Sequence, residues 1–90
     1  MFAVRRIVGA SMLPSFKPGR LVLALRCKNP KIGDVVIAKI NEREVIKRVF
    51  SYNKSGYFLL GDNILHSTDS RKYGFVPANK IIGRVIGGRK

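Results

Sequence analysis

The stretch Val35-Val36-Ile37-Ala38-Lys39-Ile40-Asn41-Glu42-Arg43-Glu44-Val45-Ile46-Lys47-Arg48-Val49 decides what kind of molecule this is. Val35 to Ile40 is a β-branched run of strand length, and Glu44 to Tyr52 resumes β-branched and aromatic residues after the compact link Asn41-Glu42-Arg43. Two such runs about so short a link predict a β-hairpin. On its second strand Val45, Lys47 and Val49 share one face, because successive side chains point to opposite sides of a strand. An ammonium group held against apolar surface loses hydration, which disfavours its charge and leaves an amine able to take a proton. Taken alone, a lysine beside an arginine on a strand is more often a solvated edge with its stem along the surface.

Outward from the hairpin the pattern repeats. Phe2 to Val8, Leu21 to Leu25, Tyr57 to Leu60 and Ile81 to Ile86 are short apolar runs. Between them lie the turn signals Lys17-Pro18-Gly19, Lys28-Asn29-Pro30-Lys31 and Asn53-Lys54-Ser55-Gly56. Ala78-Asn79-Lys80 is long enough for one helical turn, and Gly87-Gly88 reads as tail. Strands at regular spacing with no long amphipathic helix predict an all-β fold, a small barrel or sandwich. The segment from Gly61 to Gly74 is polar and irregular, too long and particular for a bare connector.

Ninety residues make a single domain, 1–90, and an apolar fraction of 46% is that of a packed globule. Eighteen Lys and Arg against five acids leave a net charge of +13, scattered as pairs such as Arg5-Arg6 and Lys47-Arg48. Such an excess attracts a polyanion or an anionic membrane surface. Cys27 is the only cysteine, so no internal disulfide can form, and its apolar setting is that of a small buried hydrophobe. One His, one Cys and five scattered acids offer no metal-ligand spacing, and no cofactor is expected. No apolar run reaches the length of a membrane span, which places the chain in the cytoplasm or peripherally on a membrane.

A serine hydroxyl becomes a nucleophile when a base takes its proton and donors await the oxyanion. Ser11, in Gly9-Ala10-Ser11-Met12-Leu13-Pro14, is the candidate hydroxyl, and Lys47 is the candidate base. A competing triad would join Ser11 to His66, the only histidine, and Asp62 or Asp69.

Five blocks then stand in one order: the Ser11 segment, Ile46-Lys47-Arg48-Val49, Gly61-Asp62-Asn63, Ser67-Thr68-Asp69-Ser70-Arg71 and Tyr73-Gly74-Phe75-Val76-Pro77. In this order they resemble bacterial signal peptidase I, from about Val8 to about Val85. The resemblance implies an all-β catalytic core, shared with LexA-like domains, and a Ser/Lys endopeptidase that removes a leader or signal segment from a precursor protein. It implies Ser11 as nucleophile and Lys47 as general base. The Ser11 backbone N–H, helped by the Gly9 position, corresponds to the oxyanion hole, and Ser67 to a serine that orients the lysine. Asp69 and Arg71 correspond to a structural ion pair, while Met12 and Pro14 shape the substrate groove, which prefers small side chains before the cleaved bond.

Two departures stand out. Ile64-Leu65-His66 replaces the polar Arg-Asp-Asn usual before the serine of the fourth block, and only ten residues precede Ser11 where the family carries a membrane anchor. With Met1 at its start, the chain resembles the small anchorless members that trim the N-terminus of nickel-containing superoxide dismutase. The family's second accessory β region is expected to be missing. Two other readings follow from the residues: a self-cleaving domain of LexA type, and a non-enzymatic module in which the +13 charge and Tyr52, Tyr57 and Tyr73 bind nucleic acid or an anionic surface. With the blocks in order, the expected partner is a precursor protein or peptide, with peripheral contact to an anionic membrane, and not nucleic acid.

Overall fold

The computed structural model describes residues 2–27 and 29–86, so Gly87-Gly88 and Lys28 of the predicted turn lie outside the described residues. Six strands form one antiparallel sheet: β1 (Phe2–Arg6), β2 (Leu21–Leu25), β3 (Val35–Ile40), β4 (Arg43–Asn53), β5 (Gly56–Leu60) and β6 (Ile81–Val85), in the spatial order β1-β2-β6-β3-β4-β5. Among the described residues the other regular elements are a four-residue helix, α1 (Ser70–Tyr73), and 3-10 turns at Ile64–His66 and Ala78–Lys80. The fold is all-β, as the spacing of apolar runs requires.

The hairpin is tighter than its sequence suggests. Ile40 pairs with Arg43, leaving only Asn41 and Glu42 in the turn, both with positive φ (49° and 68°). A two-residue turn of that hand matches the right-handed twist of its flanking strands; Asn adopts the conformation readily, and Glu42 does so at some cost. β3 lies between β6 and β4 and is buried on both faces from Val35 to Ala38, so its run is continuously apolar and not alternating. Val36 and Ala38 join Val49, Tyr57, Leu59 and Val76 in one core cluster, while Val35 joins Ile7, Met12, Phe16 and Val22 in a second.

Three strands separate β1 from β4 in the order of the sheet, yet the Arg5 guanidinium reaches the Glu44 carboxylate, with Nη2 to Oε2 at 3.0 Å. The sheet is therefore coiled towards a barrel, and β1 and β4 face each other across the cavity that Ser11 lines. At the other end β5 closes against the chain after α1, where Tyr57 and Val76 exchange backbone hydrogen bonds of 2.8 and 2.7 Å. Gly56 permits that approach, since a Cβ there would lie 2.1 Å from the Val76 carbonyl oxygen. Cys27 sits just past β2 and is half-buried, more exposed than its apolar neighbours suggested.

Candidate active site

β4 presents Lys47 from the middle of its inward face, directly opposite Val36 on β3. The lysine is 5% exposed, and its Nζ donates to Ser11 Oγ at 2.9 Å. Burial pushes the ammonium below its ordinary range; the Asp69 carboxylate works in the opposite direction. The two residues are 36 positions apart, so this contact belongs to the tertiary fold and not to any local motif.

The segment Gly61-Asp62-Asn63, which follows β5, holds the serine in place. Asn63 donates its backbone N–H to the Ser11 carbonyl at 2.7 Å and its side-chain amide to the Ala10 carbonyl at 3.0 Å. The Asp62 N–H points at Met12 Sδ, 3.5 Å away. Gly61 is where the chain passes closest: a Cβ there would lie 2.2 Å from Ser67 Oγ and 2.8 Å from the Ser11 carbonyl oxygen. Only glycine lets the two serine segments approach this closely.

Behind the pair lies a buried carboxylate. Asp69 is 0% exposed and accepts from the Gly61 N–H (2.9 Å), Ser67 Oγ (2.9 Å) and Arg71 Nε (2.9 Å). Burial alone would push its pKa up. The hydrogen bonds from Arg71, Gly61 and Ser67 together outweigh burial and hold it at about 2, so it stays ionised. Asp69 also caps α1 by accepting from the Arg71 N–H. Arg71 in turn donates to the Ile64 carbonyl at 2.7 Å, which fixes the loop through backbone although Ile64 and Leu65 themselves are exposed.

A cavity of about 610 Å³ opens in front of Ser11 and Lys47. Ile7, Met12, Ile40 and Val45 give it apolar walls, Thr68 and Tyr73 also line it, and Arg5, Arg6 and Arg43 lie along it. The Tyr73 hydroxyl is buried without a hydrogen-bond partner among the described residues, and burial together with the Asp69 charge pushes its pKa up to about 12.

The sequence-nominated residues thus fall into two groups. Ser11, Lys47, Ser67, Asp69 and Arg71 are brought together, and Met12 lines the cavity beside Ser11. Ser67 is turned towards Asp69, and the hydrogen bond made by Lys47 goes to Ser11. Pro14 faces a different cavity, with Phe16, Asp34 and Arg84, because the turn after Met12 carries it round the far side of the serine segment. Gly9 is exposed, with φ of 80°, at the bend that leads out of β1. The competing triad is not assembled: among the described residues the His66 side chain makes no hydrogen bond, Arg48 binds Asp62 and Arg71 binds Asp69.

Three contributors carried no assignable signal in the sequence. The bidentate pair of Arg48 with Asp62, at 2.8 Å on each oxygen, ties β4 to the Gly61–Asn63 segment. Burial would raise the Asp62 pKa, and hydrogen bonds from Arg48 and Ser15 hold it below the ordinary value. Gly61 and Tyr73 stand inside the third and fifth sequence blocks, whose local pattern does not show what they touch.

The family described as "Signal peptidase, peptidase S26" matches residues 51–87. Mitochondrial inner membrane protease subunit 1 of Schizosaccharomyces pombe is 32% identical over 113 residues, covering 96% of this chain and 72% of that protein. The chain belongs to the signal peptidase family. Two Buchnera aphidicola proteins named signal peptidase I are also similar. One, from subspecies Schizaphis graminum, is 37% identical over 60 residues, and the other, from subspecies Baizongia pistaciae, is 54% identical over 33 residues. These cover 62% and 37% of this chain but only 19% and 11% of the bacterial proteins, so the chain corresponds to a small part of those relatives. Among the described residues no helix is long and apolar enough to cross a membrane.

Proposed function

We propose that this chain is a serine endopeptidase that uses Ser11 as nucleophile and Lys47 as general base to remove a leader or signal segment from a precursor protein. The contact of 2.9 Å between Lys47 Nζ and Ser11 Oγ, in a site where burial opposes the lysine's charge, carries the reading. With the amine neutral the hydrogen bond reverses, and the hydroxyl donates to the nitrogen lone pair. Oγ attacks the scissile carbonyl as Lys47 takes its proton, and the ammonium returns that proton to the departing amine. The neutral amine then deprotonates a water that hydrolyses the acyl-enzyme.

The oxyanion formed at each stage needs donors already in place. Among the described residues the Ser11 N–H donates to no acceptor, which leaves it available for that role. Ser67 and Asp69 act as positioning residues: the carboxylate fixes Ser67 and, with Gly61, the approach of the serine segment. The apolar cavity walls suit an extended peptide with small or apolar side chains before the cleaved bond. The exposed apolar residues Phe2, Val4 and Leu21, with the surplus of cations, suit peripheral contact with an anionic membrane.

The test is cleavage of candidate precursors followed by sequencing of the new N-termini. Ser11→Ala and Lys47→Ala should each lower kcat at least about 1000-fold while leaving the circular dichroism spectrum unchanged. Undiminished turnover by Lys47→Ala rules out the proposed base.

A further inference from the structure

All five acids of the chain already have basic partners within 4.0 Å: Glu44 with Arg5, Glu42 with Lys39, Asp62 with Arg48, Asp69 with Arg71 and Asp34 with Arg84. Arg6 and Arg43 line the cavity that holds Ser11 and Lys47, and neither pairs with an acid among the described residues. Glu44, the cavity's one acid, is already neutralised by Arg5. Arg6 gives one of its five N–H groups to the Gly19 carbonyl at 2.7 Å, and the others meet no acceptor among the described residues.

Spacing along β4 says where this charge lies relative to the reacting atoms. Arg43 precedes Lys47 by four residues on one strand, so its backbone stands roughly 13 Å from that of Lys47 at about 3.3 Å per residue. An extended peptide with its scissile carbonyl at Ser11 covers that distance in three or four residues.

We infer that the substrate carries an acidic side chain three or four residues from its scissile bond, held by Arg43, with Arg6 adding to the positive charge of the same cavity lining. This rests on the peptidase reading and names a substrate feature that reading leaves open. The cavity provides the apolar walls that grip small residues next to the cleaved bond, and the two arginines add a charge requirement further along. A guanidinium in the cavity lining selects an acid both by attraction and because a lysine there would be repelled.

The test uses fluorescent decapeptides with an Ala-Xaa-Ala core and a single Asp, Gln or Lys at each position up to five residues on either side of the expected bond. Binding is measured by anisotropy on the Ser11→Ala variant and cleavage on the wild type. At 50 mM NaCl, Asp at the third or fourth position on one side should bind roughly 3- to 10-fold tighter than Gln, with Lys weakest. The advantage should fade in 0.5 M NaCl. Adding Arg6→Gln and Arg43→Gln should bring the Asp to Gln ratio to about one, and Arg43→Glu should shift the preference to Lys.

Equal binding of Asp and Gln peptides at every position overturns the inference, as does an Asp preference that survives both Gln substitutions. An Asp preference in binding with no cleavage by the wild type would keep the acidic-ligand site and discard the peptidase. The same variants are added to phosphatidylglycerol vesicles. If the substitutions abolish vesicle binding and leave the peptide preference unmoved, the arginines serve a lipid surface and the inference fails.

Discussion

Lys47 is the one buried cation among the described residues, and two influences on it oppose each other. Burial favours the neutral amine that the proposed general base requires, whereas Asp69 favours the charged form. Burial is the larger, so kcat/KM should rise with pH along a limb centred below 10.5, the ordinary lysine value. Asp69→Asn removes the influence that holds the amine protonated, and the limb should move to lower pH. A pH–rate profile of the two proteins checks this; a limb that stays fixed, or moves to higher pH, contradicts it. The same burial has a consequence for stability. A lysine held below its unfolded value binds fewer protons folded than unfolded in the window between the two, so its contribution to stability rises with pH across that window. Below it the buried charge is a cost. Lys47→Met should therefore stabilise the fold at pH 7 by about 0.5–2 kcal/mol while abolishing cleavage, measured by urea denaturation.

At the scale of elements, the strands were readable because each is an apolar run closed by turn residues. β2 and β3 have the bounds their sequences suggest, and β4 extends the expected Glu44–Tyr52 by one residue at each end. The segment from Gly61 to Gly74 was recognisable as special and yet not as structure. Its 3-10 turn and four-residue helix carry no periodicity, and its shape comes from Asp69 and Arg71 bonding to the backbone groups of Gly61 and Ile64. For the same reason the candidate dyad could be nominated from Ser11 and Lys47, but the lean of Ser67 towards Asp69 and the separate cavity of Pro14 depend on three-dimensional approach. Gly61 makes the dependence testable. In Gly61→Ala the methyl group must displace Ser67 Oγ and the Ser11 backbone, because the gaps of 2.2 and 2.8 Å admit no carbon. A shift on the order of 1 Å in the segment of the proposed nucleophile can cost about 100-fold in rate. The variant should lose about that factor in kcat/KM and keep its sheet, as judged by far-ultraviolet circular dichroism; activity within threefold of wild type would mean that the serine segment is held from elsewhere.

For the whole molecule the unbalanced charge sets the response to salt. Fifteen of the eighteen cations and all five acids lie on the described residues, which span 33 × 32 × 24 Å. At 0.01 M salt the screening length is about 30 Å, so nearly every cation repels every other; at 0.15 M it is about 8 Å and only neighbours interact. Salt also weakens the attractive pairs, and the net sign depends on which loss is larger. Of the five pairs, Lys39–Glu42 and Arg84–Asp34 are at 3.9 and 4.0 Å, and exposed pairs contribute at most about 1 kcal/mol each. Asp69 is shielded from solvent, and its contacts change little with ionic strength. The surplus of 13 positive charges has no such compensation, so relief of repulsion should prevail. The melting temperature should rise by several degrees between 0.01 and 0.2 M NaCl and then level off, because screening beyond the spacing of neighbouring charges gains little. Differential scanning fluorimetry across that range measures it. A melting temperature that falls over the same interval would mean that the ion pairs, including the Arg5–Glu44 link that coils the sheet, outweigh the repulsion.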